Sequence, residues 1–263
     1  MSNVFVTGGT GFIGQHLVRV LLNQGHSVSI LVRDNSRAEN LRNSGCYFKY
    51  DLDNMDRYDY IYHLAGVLGK NGLPWTVYEE PHVEMLWRLV QNCKGHLVYF
   101  SSAYTQTDKL GHYTETKRLG ETLIQTHKGR FSIIRPGFVY GPGDIHHLPL
   151  FRWVKKLGSL FPIQGSGNNL ICPTYIGDVV NNLTPEMLPH GAVTIAGEPT
   201  TMNRFIGLIA QVLEVRRPMV RIPPLVKRDF FTKTRVFKSD VPSTPVEIGL
   251  REAVSWYRTQ GLL

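Results

Sequence analysis

The stretch Thr7-Gly8-Gly9-Thr10-Gly11-Phe12-Ile13-Gly14 decides the fold of this chain, because it joins a strand-like segment to an amphipathic helix. The run that leads into it, Asn3-Val4-Phe5-Val6-Thr7, favours β-structure. From Phe12 to Asn23 apolar residues recur at helical spacing, and Gln24-Gly25 follows as a helix stop. The order of strand, glycine-rich turn and helix predicts the first unit of a parallel sheet.

Three glycines of this turn meet specific steric requirements. Gly8 permits the tight bend, Gly11 lets the backbone approach a pyrophosphate, and Gly14 lets the helix pack closely on the strand. The N–H groups at the helix start then face the phosphates, so the segment predicts a dinucleotide site on a Rossmann-type sheet. The expected binding residues are Gly8, Thr10, Gly11, Phe12, Ile13 and Gly14.

Strands and helices continue to alternate along the first half of the chain. Helices are predicted near residues 77–92 and 113–126. Such alternation is typical of βαβ units, so we expect an α/β fold with a Rossmann-type, doubly wound parallel sheet. The further strands of that sheet are predicted at Ser27–Val32, Tyr60–Leu64, His96–Phe100 and Phe131–Ile134.

The composition of the sequence changes after Arg135, where glycine and proline become frequent. We therefore expect residues 1–140 to form the dinucleotide-binding Rossmann domain. Residues 141–263 are expected to form mainly a small C-terminal substrate lobe, with some segments returning to the sheet. The later helices are predicted near residues 150–157, 202–213 and 246–260.

Composition narrows the class of protein. The chain has 263 residues, a formal net charge of +8 and three widely separated cysteines. It has neither an apolar run long enough to span a membrane nor a signal peptide, so no membrane contact is expected. Its basic residues are scattered and no zinc finger or RNA-binding motif accompanies them, so no nucleic-acid partner is expected. An odd number of isolated cysteines predicts reduced thiols, a cytoplasmic location and no metal site.

Tyr113 and Lys117 stand four residues apart, a spacing that places both side chains on one face of the predicted helix. A free tyrosine has a pKa of about 10 and is a poor base at neutral pH. A nearby ammonium lowers that pKa, and the lysine can also hold the ribose hydroxyls. Ser101 and Ser102 follow a predicted strand and offer a hydroxyl that polarises a substrate oxygen. The pattern predicts proton transfer at a carbonyl or carbinol oxygen.

These pieces together resemble the extended short-chain dehydrogenase/reductase family, the group of nucleotide-sugar epimerases, dehydratases and reductases. The resemblance covers nearly the whole chain. It includes the glycine-rich turn and a closing helix from Val246 to Tyr257. The other motifs that carry it are Asp51-Leu52, His63-Leu-Ala-Gly66, Phe100-Ser-Ser-Ala103, Tyr113-x-x-x-Lys117, Arg135-Pro-Gly-Phe-Val-Tyr-Gly-Pro142 and Tyr175-Ile-Gly-Asp178.

The resemblance implies an NAD(P)-dependent enzyme that binds a small-molecule substrate, expected to be a nucleotide sugar. A homodimer is one possible assembly of such a protein. The implied catalytic trio is Ser102, Tyr113 and Lys117, with Ser101 as the alternative serine. Tyr113 and Lys117 also belong to the implied cofactor site. Its further members are Asp51 and Leu52 at the adenine, Leu64, Ala65 and Gly66 along the cofactor, and Pro136 and Val139 near the nicotinamide.

The residues at the end of the second predicted strand bear on the choice between NAD and NADP. An NAD enzyme usually has an acidic residue there, which accepts the ribose hydroxyls and repels a 2′-phosphate. This chain has Arg33, then Asp34, with Arg37 close behind. Because an arginine fork binds phosphate through paired, charge-assisted bonds, we expect Arg33 and Arg37 to select NADP. The alternative is NAD, with Arg33 stacked on the adenine and Asp34 bonded to the ribose.

Departures from the family's pattern bear on the reaction and the substrate. Residues 170–174 lack the arginine that sugar-nucleotide enzymes commonly place there for the diphosphate, and Ala103-Tyr104 cannot supply the Asp-Glu pair of dehydratases. We expect reduction of a keto group of a (nucleotide-)sugar by hydride transfer, with Tyr113 as proton donor. The alternatives are a nucleotide-sugar epimerase, a reductase of a steroid-like or apolar ketone, and a non-catalytic dinucleotide-binding regulator.

His63 and the pair His146-His147 are not expected to act as catalysts or metal ligands. His63 follows a predicted strand and is expected to lie beside the cofactor or to pack in the interior. The adjacent pair His146-His147 is expected to be part of a loop.

Overall fold

The computed structural model describes residues 1–69, 72–107, 111–223 and 234–263. The chain divides into two compact units, each with its own core. The first unit comprises residues 1–136 and 179–194, and the second comprises residues 137–178 and 195–263.

The strands are short and most of their residues are buried or half-buried. In chain order they are β1 (Asn3–Thr7), β2 (Ser27–Leu31), β3 (Tyr47–Lys49), β4 (Tyr60–His63), β5 (His96–Phe100), β6 (Phe131–Pro136), β7 (Phe138–Tyr140), β8 (Ile163–Gln164), β9 (Leu170–Ile171), β10 (Pro173–Tyr175), β11 (Gly191–Ile195), β12 (Thr200–Thr201) and β13 (Arg221–Ile222).

The α-helices lie between these strands. In chain order they are α1 (Phe12–Asn23), α2 (Trp75–Glu79), α3 (Met85–Asn92), α4 (His112–Ile124), α5 (Leu148–Leu157), α6 (Ile176–Asn181), α7 (Met202–Val212) and α8 (Val246–Thr259).

The first unit is built on a seven-stranded sheet with the order β11-β6-β5-β4-β1-β2-β3. The pairs from β6 through to β3 are parallel, as predicted for βαβ units. The chain runs outward from β1 to β3 and then returns to β4 on the other side of β1. This reversal creates a switch point between β1 and β4, where ligands bind at the carboxyl ends of the strands in such sheets. The predicted Rossmann-type architecture is confirmed.

Both faces of this sheet are covered, and its central strands are therefore continuously apolar. All five residues of β5, His96–Phe100, are buried. Phe5, Ile61, Leu86 and Leu97 belong to the core of this unit and are fully buried. Helix α1 ends at Asn23 as predicted, and Gly25 follows with a left-handed φ of 80°.

The helix predicted over residues 77–92 is not continuous. A π-helical turn, Glu80–Glu84, separates α2 from α3. The sequence prediction overlooked Pro81, which lacks a backbone N–H and cannot donate in an α-helix. A wider turn accommodates this gap, and such π-turns occur frequently at functional sites.

The second unit combines short strand pairs with helices around its own core. Strand β7 pairs with β10 in parallel and β9 pairs with β12 in antiparallel. Aromatic and aliphatic side chains such as Phe151, Phe205, Leu250 and Tyr257 fill the core. In the parts of the chain that the structure describes, every helix is too short or too polar to cross a membrane.

Candidate active site

The glycine-rich turn closes against the loop after β4. Gly8 has a left-handed φ of 71°, and a Cβ there would lie 2.6 Å from the Ala65 nitrogen. A Cβ on Gly14 would lie 2.1 Å from the Gly8 carbonyl oxygen. Any side chain at these two positions therefore collides with backbone. The turn brings Gly8 next to Leu64 and Ala65, two residues predicted to line the cofactor.

Helix α1 begins at the end of this turn with donors available to a ligand. Its N-cap is Gly11, and no side chain caps the helix. The first intrahelical bond runs from the Gln15 N–H to the Gly11 carbonyl at 2.9 Å. The N–H groups of Phe12, Ile13 and Gly14 precede that bond and lack intrahelical acceptors. The glycine cradle and the uncapped helix start together fit the pyrophosphate of a dinucleotide.

Lys117 projects from α4 and is 5% exposed. Its Nζ donates a hydrogen bond to the Phe100 carbonyl at 2.7 Å and lies 5.0 Å from the centre of the Tyr99 ring. It also approaches the cofactor loop, because a Cβ on Gly66 would lie 3.4 Å from this Nζ. Burial lowers the pKa of Lys117 to about 7, while the charge of Glu121 opposes that change.

Tyr113 lies one turn before Lys117 on α4 and is half-buried. Its ring makes edge contacts with Tyr78 and His82 at centroid distances of 5.9 and 5.8 Å. Burial raises the pKa of Tyr113, and a hydrogen bond with Ser102 opposes the rise. This direction differs from the sequence argument, in which the ammonium lowers the tyrosine pKa. Desolvation of the phenolate outweighs the effect of Ser102 here, so Tyr113 is held as a phenol.

The two serines after β5 have different surroundings. The Ser101 hydroxyl donates to the Glu121 carboxylate at 2.5 Å. The Ser102 oxygen accepts a 3.3 Å bond from the Tyr104 N–H, and Ser102 acts on Tyr113 in the direction that lowers the tyrosine pKa. Ser101 is thus engaged by a carboxylate, and Ser102 is the serine that the structure brings to Tyr113.

His63 takes part in a chain of hydrogen bonds at the switch point. The Ala65 N–H donates to Thr7 Oγ1 at 3.2 Å, and that hydroxyl lies 2.7 Å from His63 Nδ1. His63 Nε2 lies 2.8 Å from the Pro81 carbonyl and must donate to it. Burial lowers the pKa of His63 to about 3. The ring is therefore neutral and structural, joining the ends of β1 and β4 to the π-turn.

His82 extends this network to α4, and the sequence did not single it out. Its Nε2 accepts a bond from the Val67 N–H at 3.3 Å, and its Nδ1 lies 2.9 Å from Thr116 Oγ1. Burial lowers the pKa of His82 to about 2, and the charge of Lys117 acts in the same direction. This histidine joins the cofactor loop to the helix that carries Tyr113.

The predicted phosphate-binding arginines lie just after β2. The Arg33 side chain is 67% exposed, and its Nη1 lies 3.5 Å from Glu80 Oε2. Asp34 caps the following turn, where its Oδ1 accepts bonds from the Ser36 N–H and hydroxyl at 2.9 and 2.7 Å. The side chain of Arg37 falls outside the described part of the structure.

The remaining predicted cofactor residues are distributed along the chain. Asp51 is exposed and pairs with Lys49 at 3.1 Å, whereas Leu52 is half-buried against the core of the first unit. Pro136 ends β6 in the first unit. Val139 belongs to the second unit, where it pairs in register with Thr174.

The pair His146-His147 forms part of a loop, and its second member has a carboxylate partner that the sequence interpretation missed. His147 Nδ1 lies 2.5 Å from Asp144 Oδ2. The same aspartate accepts bonds from the His146 and His147 N–H groups at 2.9 and 3.3 Å. Asp144 is buried and fixes the loop before α5.

The first unit thus combines a dinucleotide cradle with a serine, a tyrosine and a buried lysine. These features define a dinucleotide-binding oxidoreductase class of the Rossmann type. A protein-family model described as the NAD dependent epimerase/dehydratase family matches residues 4–184. The chain belongs to that family, and it is an NAD-dependent enzyme of the extended short-chain dehydrogenase/reductase type.

Two curated relatives are similar in sequence. The decarboxylating sterol-4-alpha-carboxylate 3-dehydrogenase of Candida albicans is 29% identical over 223 residues, which cover 69% of this chain and 63% of the relative. The chain therefore spans less than two thirds of that relative's length. Ceramide reductase of Caulobacter vibrioides is 27% identical over 242 residues, covering 84% of this chain and 73% of the relative.

Solved structures show the same fold. UDP-glucuronic acid 4-epimerase from Bacillus cereus, in complex with NAD, superposes with a TM-score of 0.77 at 20% identity. The superposition covers 98% of this chain and 99% of that protein.

Proposed function

We propose that this enzyme reduces a keto group by hydride transfer, with Tyr113 as the proton donor. The observation that carries the proposal is the placement of the Tyr113 phenol one helical turn from the buried Lys117, with Ser102 close enough to lower the tyrosine pKa. Reduction requires a proton on the tyrosine at the start of the reaction. A tyrosine carries this proton at neutral pH, and the raised pKa of Tyr113 leaves it in that form.

Each residue of the trio has a separate task in this proposal. The Ser102 hydroxyl donates a hydrogen bond to the substrate oxygen and polarises the carbonyl. Tyr113 then transfers its proton to the same oxygen as negative charge develops there. The Lys117 ammonium stabilises the phenolate that remains, and it holds the ribose hydroxyls of the cofactor. The Phe100 carbonyl fixes the position of Lys117 through the bond to its Nζ.

The cofactor supplies the hydride when it is bound. In the proposal, Gly8, Gly11 and Gly14 admit its pyrophosphate, and the start of α1 provides backbone donors. The loop containing Leu64, Ala65 and Gly66 lines its path. Thr10, Phe12, Ile13, Asp51, Leu52, Pro136 and Val139 complete the proposed cofactor residues.

The proposed substrate is a keto sugar, carried on a nucleotide in the first instance. The structural relative that binds NAD is an epimerase named for a UDP sugar, and epimerisation through a transient keto sugar fits the same site. An apolar ketone is the second candidate. Two observations favour it: the relatives named for a sterol and a ceramide, and the stretch 170–174, which contains no arginine.

NADP is the proposed preferred cofactor, with NAD as the alternative that the family's description favours. The Arg33 guanidinium at the end of β2 supports NADP, because it is 67% exposed and can bind a 2′-phosphate in competition with Glu80. The engagement of Asp34 as a turn cap supports the same choice, since its Oδ1 already accepts two bonds.

A homodimer and a cytoplasmic location are proposed as well. Trp87 and Leu119 are 54% and 46% exposed, and both line an apolar surface groove with Val83 and Leu123. Exposed apolar surface of this kind supports self-association. Analytical ultracentrifugation of the wild type and of Trp87→Lys tests the dimer. Cell fractionation tests the location.

The function is tested with a substrate panel of UDP-keto sugars, 3-ketosteroids and a 3-ketosphingolipid, each with NADPH and with NADH. Consumption of reduced cofactor by at least one ketone is expected. Tyr113→Phe should lower kcat by about 10²–10⁴-fold while dinucleotide affinity stays nearly unchanged. The exposed Tyr47 offers the control substitution Tyr47→Phe. Tight cofactor binding without turnover on the whole panel would favour a regulator that has lost activity.

A further inference from the structure

A buried carboxylate, Glu121, lies beside the proposed catalytic residues and has no role in the reaction described above. It stands one turn after Lys117 on α4, so the two side chains share a face of the helix. Its side chain is 11% exposed. A carboxylate at such a position destabilises the fold unless it is paired and hydrogen-bonded, so its partners indicate its purpose.

Those partners come from two separate segments. Arg135, on β6, donates from Nε to Oε1 at 2.9 Å and from Nη2 to Oε2 at 2.6 Å. Ser101, after β5, donates to Oε1 at 2.5 Å. Thr105 Oγ1, in the short turn Ala103–Gln106, lies 3.0 Å from the same oxygen. The carboxylate therefore joins α4 to β6 and to the segment that follows β5.

Ser102 lies between two residues that this carboxylate holds. Ser101 precedes it directly, and the Thr105 N–H donates to the Ser102 carbonyl at 3.0 Å. The Thr105 hydroxyl lies 2.8 Å from that carbonyl, so its single proton is shared between Ser102 and Glu121. The backbone of Ser102 is therefore fixed from both sides.

The same carboxylate acts on Lys117 through its charge. Burial raises the pKa of Glu121, but bonds from Arg135 and Ser101 outweigh burial and leave it lowered, so the group is ionised. Its negative charge opposes the effect of burial on Lys117. The charged and titratable groups that face this pair come from every element packed around it: Arg135 from β6, the Tyr99 phenol from β5, His63 from β4, His82 from the π-turn and Tyr113 from α4 itself.

We propose that Glu121 is a positioning residue: its carboxylate, clamped by Arg135, ties the Ser101–Thr105 segment to α4 and, one helical turn from Lys117, stabilises the charge of that ammonium. This inference rests on the proposed roles of Ser102 and Lys117. It predicts that removal of the carboxylate charge affects the protonation of Lys117 more than a comparable change elsewhere on the helix.

The test is a pH titration of Lys117 in protein labelled with ¹³C at the lysine ε-carbon, with the resonance assigned through Lys117→Arg. In Glu121→Gln, the Lys117 midpoint should fall by at least about one pH unit, a tenfold loss of proton affinity. Glu121→Asp keeps the charge and should restore a midpoint near that of the wild type. Glu115→Gln makes the same change at a half-exposed position of α4 and should leave the midpoint unchanged.

An unchanged Lys117 midpoint in a folded Glu121→Gln protein overturns the proposal. If that variant does not fold, Arg135→Gln leaves the carboxylate without its cation and should raise the midpoint, and an equal or lower value overturns the proposal equally. The titration requires no substrate. A shifted midpoint in a protein that turns over no ketone therefore rejects only the proposed reaction, whereas an unshifted midpoint in an active enzyme rejects only the role of Glu121.

Discussion

Arg33 Nη1 and Glu80 Oε2 lie 3.5 Å apart, and they join the end of β2 to the start of the π-turn. Both side chains are at least half exposed, so the pair itself adds little stability. The pair matters because Glu80 competes with a cofactor phosphate for Arg33. A 2′-phosphate that binds Arg33 must share the guanidinium with Glu80 or displace it, and the carboxylate also repels the phosphate. Glu80 therefore opposes the proposed NADP preference.

The first prediction concerns cofactor choice. Wild-type protein should bind NADPH more tightly than NADH, and Arg33→Ala should lose that preference while its NADH affinity stays unchanged. Glu80→Gln should strengthen NADPH binding, because it removes the competing carboxylate. Isothermal titration calorimetry of both cofactors measures all three proteins. Equal or tighter binding of NADH by the wild type would assign the ribose to Asp34 and the cofactor to NAD.

The second prediction separates the two serines. Ser102→Ala should lower kcat, because its hydroxyl is proposed to contact the substrate, and it should lower Tm less than Ser101→Ala, because it removes only the 3.3 Å bond from the Tyr104 N–H. Ser101→Ala removes a buried bond to the Glu121 carboxylate and should cost about 1.5–3 kcal/mol of stability. Thermal denaturation and steady-state kinetics of both variants give the comparison. The reverse assignment holds if Ser101→Ala retains full stability and loses the greater part of its turnover.

The third prediction concerns the glycine cradle. Gly14→Ala places a methyl group 2.1 Å from the Gly8 carbonyl, so the turn must move, and both folding stability and dinucleotide binding should suffer. Gly11→Ala is the milder control for folding stability, because its Cβ would lie 3.2 Å from the same oxygen and its φ of −78° suits alanine. Denaturation curves measure that difference, and NADH fluorescence titrations measure binding, which both variants should weaken because Gly11 also belongs to the proposed pyrophosphate site. Equal losses of stability in the two variants would contradict the steric explanation.

The fourth prediction concerns acid stability. His63 and His82 have folded-state pKa values lowered to about 3 and about 2, so both are neutral when folded. Below about pH 6.5 the unfolded chain binds protons that the folded protein does not, and each histidine then removes about 1.4 kcal/mol per pH unit. The stability they provide is thus complete above pH 6.5 and is lost as the pH falls toward 3.

Replacement of one buried histidine tests this dependence of unfolding free energy on pH. In His82→Gln, the decline of unfolding free energy between pH 6 and pH 4 should be shallower by about 1.4 kcal/mol per unit. His112→Gln changes a half-exposed histidine on α4 and serves as the control. Urea unfolding at several pH values supplies the data, and identical slopes in wild type and His82→Gln would show that His82 already takes up a proton in the folded protein.

Local signals in the sequence were sufficient for the architecture of the first unit. The turn from Gly8 to Gly14 is determined by residues within the turn itself. The helical period of α1 is likewise determined by residues three or four positions apart. The Tyr113 and Lys117 spacing is also local, because one helical turn fixes which side chains share a face. Pro81 was a local signal for the interruption between α2 and α3, although apolar periodicity alone predicts one continuous helix there.

The electrostatics of the site were decided only by tertiary structure. Sequence alone predicted that the Lys117 ammonium lowers the Tyr113 pKa, yet burial raises it. The spacing of Glu121 four residues after Lys117 was visible, but its role depends on Arg135, which arrives from another strand. Desolvation and long-range pairing arise when segments distant in sequence exclude water together. The sequence therefore determined which residues share a helix, and tertiary packing determined the protonation state in which each is held.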